Sequence, residues 1–375
     1  MVGPSSSGVE PQADVVALDR DGRQQGRGTV ARMPARTRSA AQVVVDKFGG
    51  SVLRRPQDIA AAVDVVVAQR ADGMRPVVVV SAFEGVTDAI LSAASVLLPE
   101  GGAVLRAERH AADSTLARET DRALATGESM TAALFALGLQ ARGIPARSFS
   151  GAEAGIRTAA AHLGAEVRRV YARSLRRALE QGTVPVVAGF QGIGSHGELT
   201  TLGRGGTDLS AVVLAVALRA DRCELFKDVG GVMEGDPLLV PAARFLARVD
   251  ARQLELLAEL GAEVVHPVAV RRARRGRLRL VVRALDAASP QTEVLPSPGA
   301  ASALMLAVDR KERMARISLV GPAGEMPEVL PIPAHGEGSF DEGGMRVVWA
   351  EVPIARAAEA ARSVHAALME GRAVE

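Results

Sequence analysis

Short runs of β-branched residues alternate along this chain with longer stretches whose apolar positions recur at helical spacing. VVVDKFGG, from Val43, reads as a strand closed by a glycine pair, and an amphipathic helix is predicted over about Pro56 to Arg70. PVVVVSAF (Pro76 to Phe83) predicts a second buried strand, after which DAILSAASVLL returns to helical spacing. The rhythm then repeats. A helix around Glu128 to Arg142 precedes a short strand around Ala146 to Ser150, and a long helix from about Ala165 to Gln181 precedes PVVAGFQG. LSAVVLAVALRA leads into CELFKDVGG, and RQLELLAELGAEVV into LRLVVRAL. Such alternation predicts an α/β domain with a mainly parallel sheet, whose ligands gather at the carboxyl ends of the strands. The glycine-rich loops fall there.

The two ends differ from this middle. Residues 1 to about 40 hold PSSSG and scattered polar residues without apolar periodicity, and are expected to be a disordered extension. Met33, just ahead of the first strand, is an alternative start. SPQTEVLPSPG (Ser289 to Gly299) reads as a linker. Beyond it come a strand (ARISLVG), an irregular Pro/Gly-rich loop, a strand (MRVVWAEV) and a helix from Ala355 to Leu368.

Composition narrows the class. Of 375 residues, 48% are hydrophobic and 23% charged, as in a globular protein, and the scarcity of aromatics leaves small aliphatic residues to fill the core. A net charge of +2 is weak support for a nucleic-acid partner. The basic stretch Arg271 to Arg283 reads as a solvated helix end followed by a strand, or as a source of one or two phosphate-facing arginines. Cys223 is the single cysteine, which excludes intramolecular disulfides and cysteine metal clusters and suits a reducing cytoplasm. No apolar run reaches the roughly 18 residues of a membrane span.

No G-x-x-x-x-G-K-[ST] or G-x-G-x-x-G motif occurs, so a phosphate site must be built otherwise. KFGGS (Lys47 to Ser51) offers glycines whose N–H groups can approach an anion, a following helix with its positive end there, and a mobile cation in Lys47. The same turn could be a plain strand end. GRGGTD (Gly203 to Asp208) opens an apolar helix: Thr207 or Asp208 is a good N-cap, while Gly205, Gly206 and Arg204 also make an anion or carboxylate site. KDVGGVMEGDP (Lys227 to Pro237) is a tight surface loop or part of a nucleotide pocket.

Taken in order, KFGGS, VVSAFEGVTD, ATGESMT, the IRT of Ile156 to Thr158, GFQG, TLGRGGTD, KDVGGVMEGDP and GAEVVHP resemble the successive signatures of aspartokinases, members of the amino-acid kinase superfamily. The resemblance runs from about Val43 to Leu285. It implies a three-layer αβα sandwich with a mainly parallel central sheet, and transfer of the γ-phosphate of ATP, accompanied by Mg2+, onto the side-chain carboxylate of aspartate. It further implies Lys47 and Asp208 as catalytic residues, with Ser81, Thr87, Glu128, Phe190, Arg204 and Thr207 on the amino acid. Glu128 would meet its ammonium and Arg204 a carboxylate. Gly49, Gly50, Ser51, Gly205, Gly206, Lys227, Asp228, Val232, Asp236 and Glu263 would lie by the nucleotide and its phosphates, with no protein ligand on the metal. Read from the residues alone, Phe190 and Val232 suit plain core. The C-terminal segment resembles, more weakly, one ACT-type regulatory domain where aspartokinases carry two. The expected organisation is a 1–40 extension, a 41–295 catalytic domain and a small α+β ACT-like domain over 300–375. A cytoplasmic homodimer, acting on a small amino acid and on neither nucleic acid nor membrane, is expected.

Departures from that pattern concentrate in the nucleotide loops. Val52 follows KFGGS where the family has Ser or Thr, Glu84 replaces a small residue, Lys227 replaces Thr, Leu238 replaces Arg, and Glu263 stands where the family has a phosphate-contacting lysine. Losing one preorganised donor costs about 3 kcal/mol of transition-state stabilisation, and a carboxylate beside polyphosphate costs more. Lys227 and the arginines from Arg271 onward are the candidates to stand in; Glu263 could also bind Mg2+ or turn outward. Three readings follow: an aspartate kinase, a relative with altered substrate or chemistry, or a silent subunit that binds amino acid or nucleotide and regulates a partner.

Overall fold

The computed structural model describes residues 42–97, 115–262, 264–296 and 303–368. The predicted N-terminal extension with Met33, and Glu263, lie outside the described residues. Strand β1 (Val43–Phe48) is followed by α1 (Ile59–Ala71), β2 (Arg75–Val80), α2 (Val86–Leu97), α3 (Thr115–Ala141) and β3 (Ala146–Phe149). Next come β4 (Ile156–Thr158), β5 (Val167–Val170), α4 (Arg173–Glu180), β6 (Val184–Ala188), β7 (Gln191–Ile193) and β8 (Leu199–Thr201). Helix α5 (Gly206–Leu218) leads to β9 (Arg222–Phe226), β10 (Val232–Met233), β11 (Phe245–Leu246) and β12 (Arg248–Asp250), then to α6 (Ala251–Glu259), α7 (Pro267–Arg275), β13 (Leu280–Arg283) and β14 (Gln291–Leu295). The chain closes with β15 (Met305–Arg310), β16 (Met314–Pro322), β17 (Gly336–Glu342), β18 (Met345–Pro353) and α8 (Ala357–Leu368).

The central sheet has eight strands in the order β12-β14-β13-β9-β1-β2-β6-β3, parallel except where β13 meets β14. Its inner strands are Val-rich because both faces are covered. Alternation along β1 and β2 sorts their side chains: Phe48, Val78 and Val80 pack beneath α1 and α3, while Val45, Val77 and Val79 pack beneath α4 to α7. These are the three layers. Lys47 therefore shares the face of Val45 and points toward α5. Phe48 and Phe226 stack at 4.6 Å between ring centroids, and Phe135 of α3 closes on Phe48 at 5.4 Å, giving the strand ends beside Lys47 and Lys227 a stiff floor.

From β1 the chain winds outward to β2, β6 and β3, then returns to the other side of β1 as β9. That reversal puts a crevice at the carboxyl ends of β1 and β9.

Four expectations are corrected. The segment predicted as one helix over Ala165 to Gln181 divides into β5 and α4, because VRRV pairs antiparallel with β4 and only Leu175, Ala178 and Leu179 bury a helical face. The expected linker contains β14, whose Thr292 and Val294 are buried between β12 and β13; polar residues on its other positions disguised it. The C-terminal loop contains β17, and β15 precedes the strand predicted there. The helix around Glu128 begins at Thr115.

Strands β15 to β18 form an antiparallel sheet in the order β15-β16-β18-β17, covered by α8. Residues 41–375 nonetheless make one compact unit, since Met305, Ala307, Val320, Met345 and Val347 share a core with α6. Gln253 of α6 donates to the carbonyls of Ala303 and Val320, and Glu234, after β10, lies between Arg244 (2.6 Å) and His365 of α8 (3.2 Å).

Candidate active site

Four parallel strands deliver the site. Strand β1 ends in Lys47 and the Gly49–Gly50 turn, β2 in Ser81, β6 in Gly189 and Phe190, and β9 in Lys227. Helix α5 opens against them with Gly206, Thr207 and Asp208. Asp208 is the hub: its Oδ1 lies 2.7 Å from the Lys47 ammonium and its Oδ2 3.2 Å from that of Lys227. All three side chains are largely buried. Burial alone would raise the Asp208 carboxyl, but the two ammoniums outweigh it and hold the group far below the usual carboxylate range. Lys47 is pulled down from the normal lysine range, chiefly by burial, with the Lys227 charge adding to this and Asp208 opposing it.

The glycines are spatial requirements at two places. A Cβ on Gly49 would stand 2.7 Å from the Lys47 Nζ, so any side chain there displaces the ammonium. Gly205, the N-cap of α5, has φ +72°, and a Cβ on it would enter the His266 ring at 2.3 Å. His266 immediately precedes α7, and burial keeps its imidazole below its normal range, with only partial opposition from Asp208.

Beside this cation pair lies a second, more neutral corner. Ser81 donates its hydroxyl to Thr207 Oγ1 at 2.9 Å, and Glu128 of α3 accepts the Ala82 N–H at 3.1 Å. Glu128 is 4% exposed and its second oxygen has no partner. Burial lifts its carboxyl to about 7, the Ala82 N–H only partly opposing this. A buried carboxylate oxygen without a partner suits a cationic ligand group. Phe190 adopts φ +66°, with its N–H held by Ser210 Oγ at 3.0 Å and its ring against Gly206. A bulky residue in that region is strained, and strain of this kind clusters at functional sites.

Residues 42–284 match the amino acid kinase family. The chain belongs to that family. Within it, the chain is 40% identical over 241 residues to aspartokinase 2 of Bacillus subtilis, a match spanning 64% of this chain and 56% of that relative. It is 38% identical over 252 residues to the aspartokinase of Thermus thermophilus, spanning 67% and 59%. The chain thus spans little more than half the length of the curated relatives it matches. The fold is similar to that of E. coli aspartokinase III in complex with aspartate and ADP, with a TM-score of 0.72 at 21% identity over 88% of this chain and 100% of that one. Aspartate kinase from Synechocystis aligns with a TM-score of 0.57 at 30% identity, over 89% and 58%.

Set on this family fold, the predicted residues separate. Lys47, Asp208, Lys227, Gly49, Gly205 and Gly206 come together, with Ser81, Thr207, Glu128 and Phe190 alongside. Gly50 and Ser51 continue the first turn, and Thr87 opens α2, half-buried. Arg204 is exposed on the turn before α5. Asp228 and Asp236 are exposed on the loop after β9, but Val232 is fully buried, and its N–H is taken by Thr292 Oγ1 at 2.8 Å. The Val232 side chain belongs to the core. Four of the arginines proposed to replace a lost cation are engaged elsewhere. Arg271 and Arg274 hold the buried Glu255 at 2.7 and 2.9 Å, Arg279 pairs with Glu293 and Arg283 with Glu224. Of the candidates to stand in, Lys227 reaches Asp208.

Two contributors escaped the sequence reading. His266 sits inside GAEVVHP, three residues after Glu263, and its place just before a helix-opening proline is the signal the sequence offers. Asp121 is fully buried on α3 and accepts from His162 Nδ1 (2.7 Å), the Leu163 N–H (3.2 Å) and the Thr201 hydroxyl, fixing the loop that packs on Gly203. On α3 an aspartate reads as solvent-facing, so nothing in the sequence marked it.

Proposed function

We propose that this chain is an ATP-dependent aspartate kinase, forming 4-phospho-aspartate and ADP, with residues 41–295 as catalytic segment and the C-terminal sheet and helix as an ACT-like unit. The observation that carries the proposal is the buried Lys47–Asp208–Lys227 cluster together with a buried Glu128 whose second oxygen is partnerless. A side-chain carboxylate is ionised at neutral pH and is already a nucleophile, so its attack on the γ-phosphorus needs no base. The attacking oxygen forms a bond to phosphorus, the bond to the bridging oxygen breaks, and ADP leaves with the electron pair. Catalysis is then positioning and charge stabilisation. That matches a cleft in which the carboxylate beside the cations, Asp208, is committed to orienting two of them.

Glu128 receives the α-ammonium, Arg204 a carboxylate of the amino acid, and the glycine turns after β1 and before α5 take phosphate oxygens through backbone N–H groups. Among the described residues no cluster of three or more His, Cys, Asp or Glu could hold a metal. Mg2+ would be carried on the phosphates, whose charge it neutralises. A cytoplasmic homodimer joined through the C-terminal unit completes the proposal.

The departure at Glu263 favours a second reading, a subunit that binds these ligands without turnover. ADP formation followed in a coupled assay separates the two. An aspartate kinase releases ADP only when aspartate and Mg2+ are both present, whereas binding of both ligands in a calorimeter with no ADP formed establishes the silent subunit.

A further inference from the structure

The chain holds 45 lysines and arginines, and only three of them are lysines, at positions 47, 227 and 311. Arginine serves nearly every other need for positive charge, including the pairs on Glu255, Glu224 and Glu234. Lys311 is exposed and pairs with Asp309. The other two lysines converge on the two oxygens of one carboxylate. Among the described residues, two ammoniums against one carboxylate leave a unit of positive charge uncompensated at the carboxyl ends of β1 and β9. Burying such an excess is costly unless an anion completes it. Lysine, a compact point charge on a flexible stem, can follow a group that moves during transfer, which a planar guanidinium does less well.

We infer that Lys227 is a second phosphoryl-facing catalytic lysine, acting with Lys47 across Asp208 on the group in transfer. The inference rests on the phosphoryl-transfer reading above and names the cation that this chain uses. Lys227 keeps 18% of its side chain exposed against 7% for Lys47, so it lies nearer the open side of the cleft. Lys227 moves no proton: the electron pair of the broken bond goes to ADP, and the ammonium balances charge on the phosphoryl oxygens. Its contribution should therefore fall on the terminal phosphate.

Lys227→Met and Lys227→Arg test this, with ADP and its non-hydrolysable triphosphate counterpart AMP-PNP as binding probes. Lys227→Met is expected to lose roughly a hundredfold in acyl phosphate formation. It should weaken AMP-PNP binding at least about tenfold more than ADP binding, the excess expected of one lost charge-assisted contact. Lys227→Arg should keep AMP-PNP affinity but recover only part of the rate. Equal changes for the two nucleotides, or a Lys227→Met rate close to wild type, would overturn the inference. If the wild type forms no acyl phosphate, the aspartate kinase reading fails, while the comparison of ADP with AMP-PNP still decides whether Lys227 faces the terminal phosphate.

Discussion

Replacing Glu128 by glutamine should stabilise the unliganded protein above neutral pH while removing its hold on the amino acid. The Glu128 carboxyl titrates at about 7 in the folded chain against 4.5 as a free side chain, because it is buried with one oxygen unpartnered. Between those values the folded state keeps a proton that the unfolded chain has lost. The stability this provides is fully present below about 4.5 and is lost as pH rises through 7. The shift corresponds to about 3 kcal/mol. Glutamine copies the shape and cannot ionise, so Glu128→Gln should match the wild type near pH 4.5 and exceed it by up to about 3 kcal/mol at pH 8. Thermal unfolding of both proteins from pH 4.5 to 8.5, without ligand, measures the divergence. A bound ammonium favours the carboxylate, so aspartate binding near pH 7 should expel a substantial fraction of one proton. Calorimetry in buffers of different ionisation enthalpy counts it. Parallel melting curves, together with buffer-independent binding enthalpies, would refute the argument that Glu128 is a buried, ligand-charged carboxyl.

Other consequences follow from the same geometry. Arg204→Ala should raise the KM for aspartate without lowering the melting temperature, since Arg204 is exposed; an unchanged KM removes it from the substrate site. Gly205→Ala combines a left-handed backbone with a clash against His266, so kcat should fall sharply, and wild-type turnover would show that the turn is not needed as built. Phe48→Ala empties the aromatic floor and should cost about 3–5 kcal/mol in denaturant unfolding; a loss below about 1 kcal/mol would mean the stack carries little. Glu234→Ala leaves Arg244 and His365 without their shared carboxylate. It should cost about 3 kcal/mol and increase proteolysis of α8, whereas unchanged protection would show that the Glu234 contact does not hold this helix.

How much of this was legible in the sequence depended on which signals were local. Runs of valine marked β1, β2 and β6, because strands covered on both faces must be apolar throughout. β14 escaped because it alternates and sits among prolines, and β5 because its two arginines look helical between alanine-rich neighbours. Lys47, Asp208 and Lys227 were each visible as ends of glycine-rich loops. That they meet at one carboxylate depends on β1 and β9 being neighbours, which only the sheet order supplies. Arg271 and Arg274, plausible as phosphate ligands from charge alone, are held by Glu255, a buried glutamate that reads as surface on an amphipathic helix. Glu128 stands out by its motif, but its raised titration follows from burial in the fold, which leaves one oxygen on the Ala82 N–H and the other without a partner. Val232, named from its loop, has its side chain in the core, as its residue type alone suggested.

A hydroxylamine trap on the protein with Mg2+, ATP and aspartate, alongside Lys47→Ala, tests the central claim most directly, because an acyl phosphate is converted to a coloured hydroxamate and identifies a carboxylate as the acceptor. Hydroxamate from the wild type and none from Lys47→Ala is the predicted result. Its absence from the wild type under conditions where both ligands bind would contradict the account and leave the cleft as a binding site without turnover.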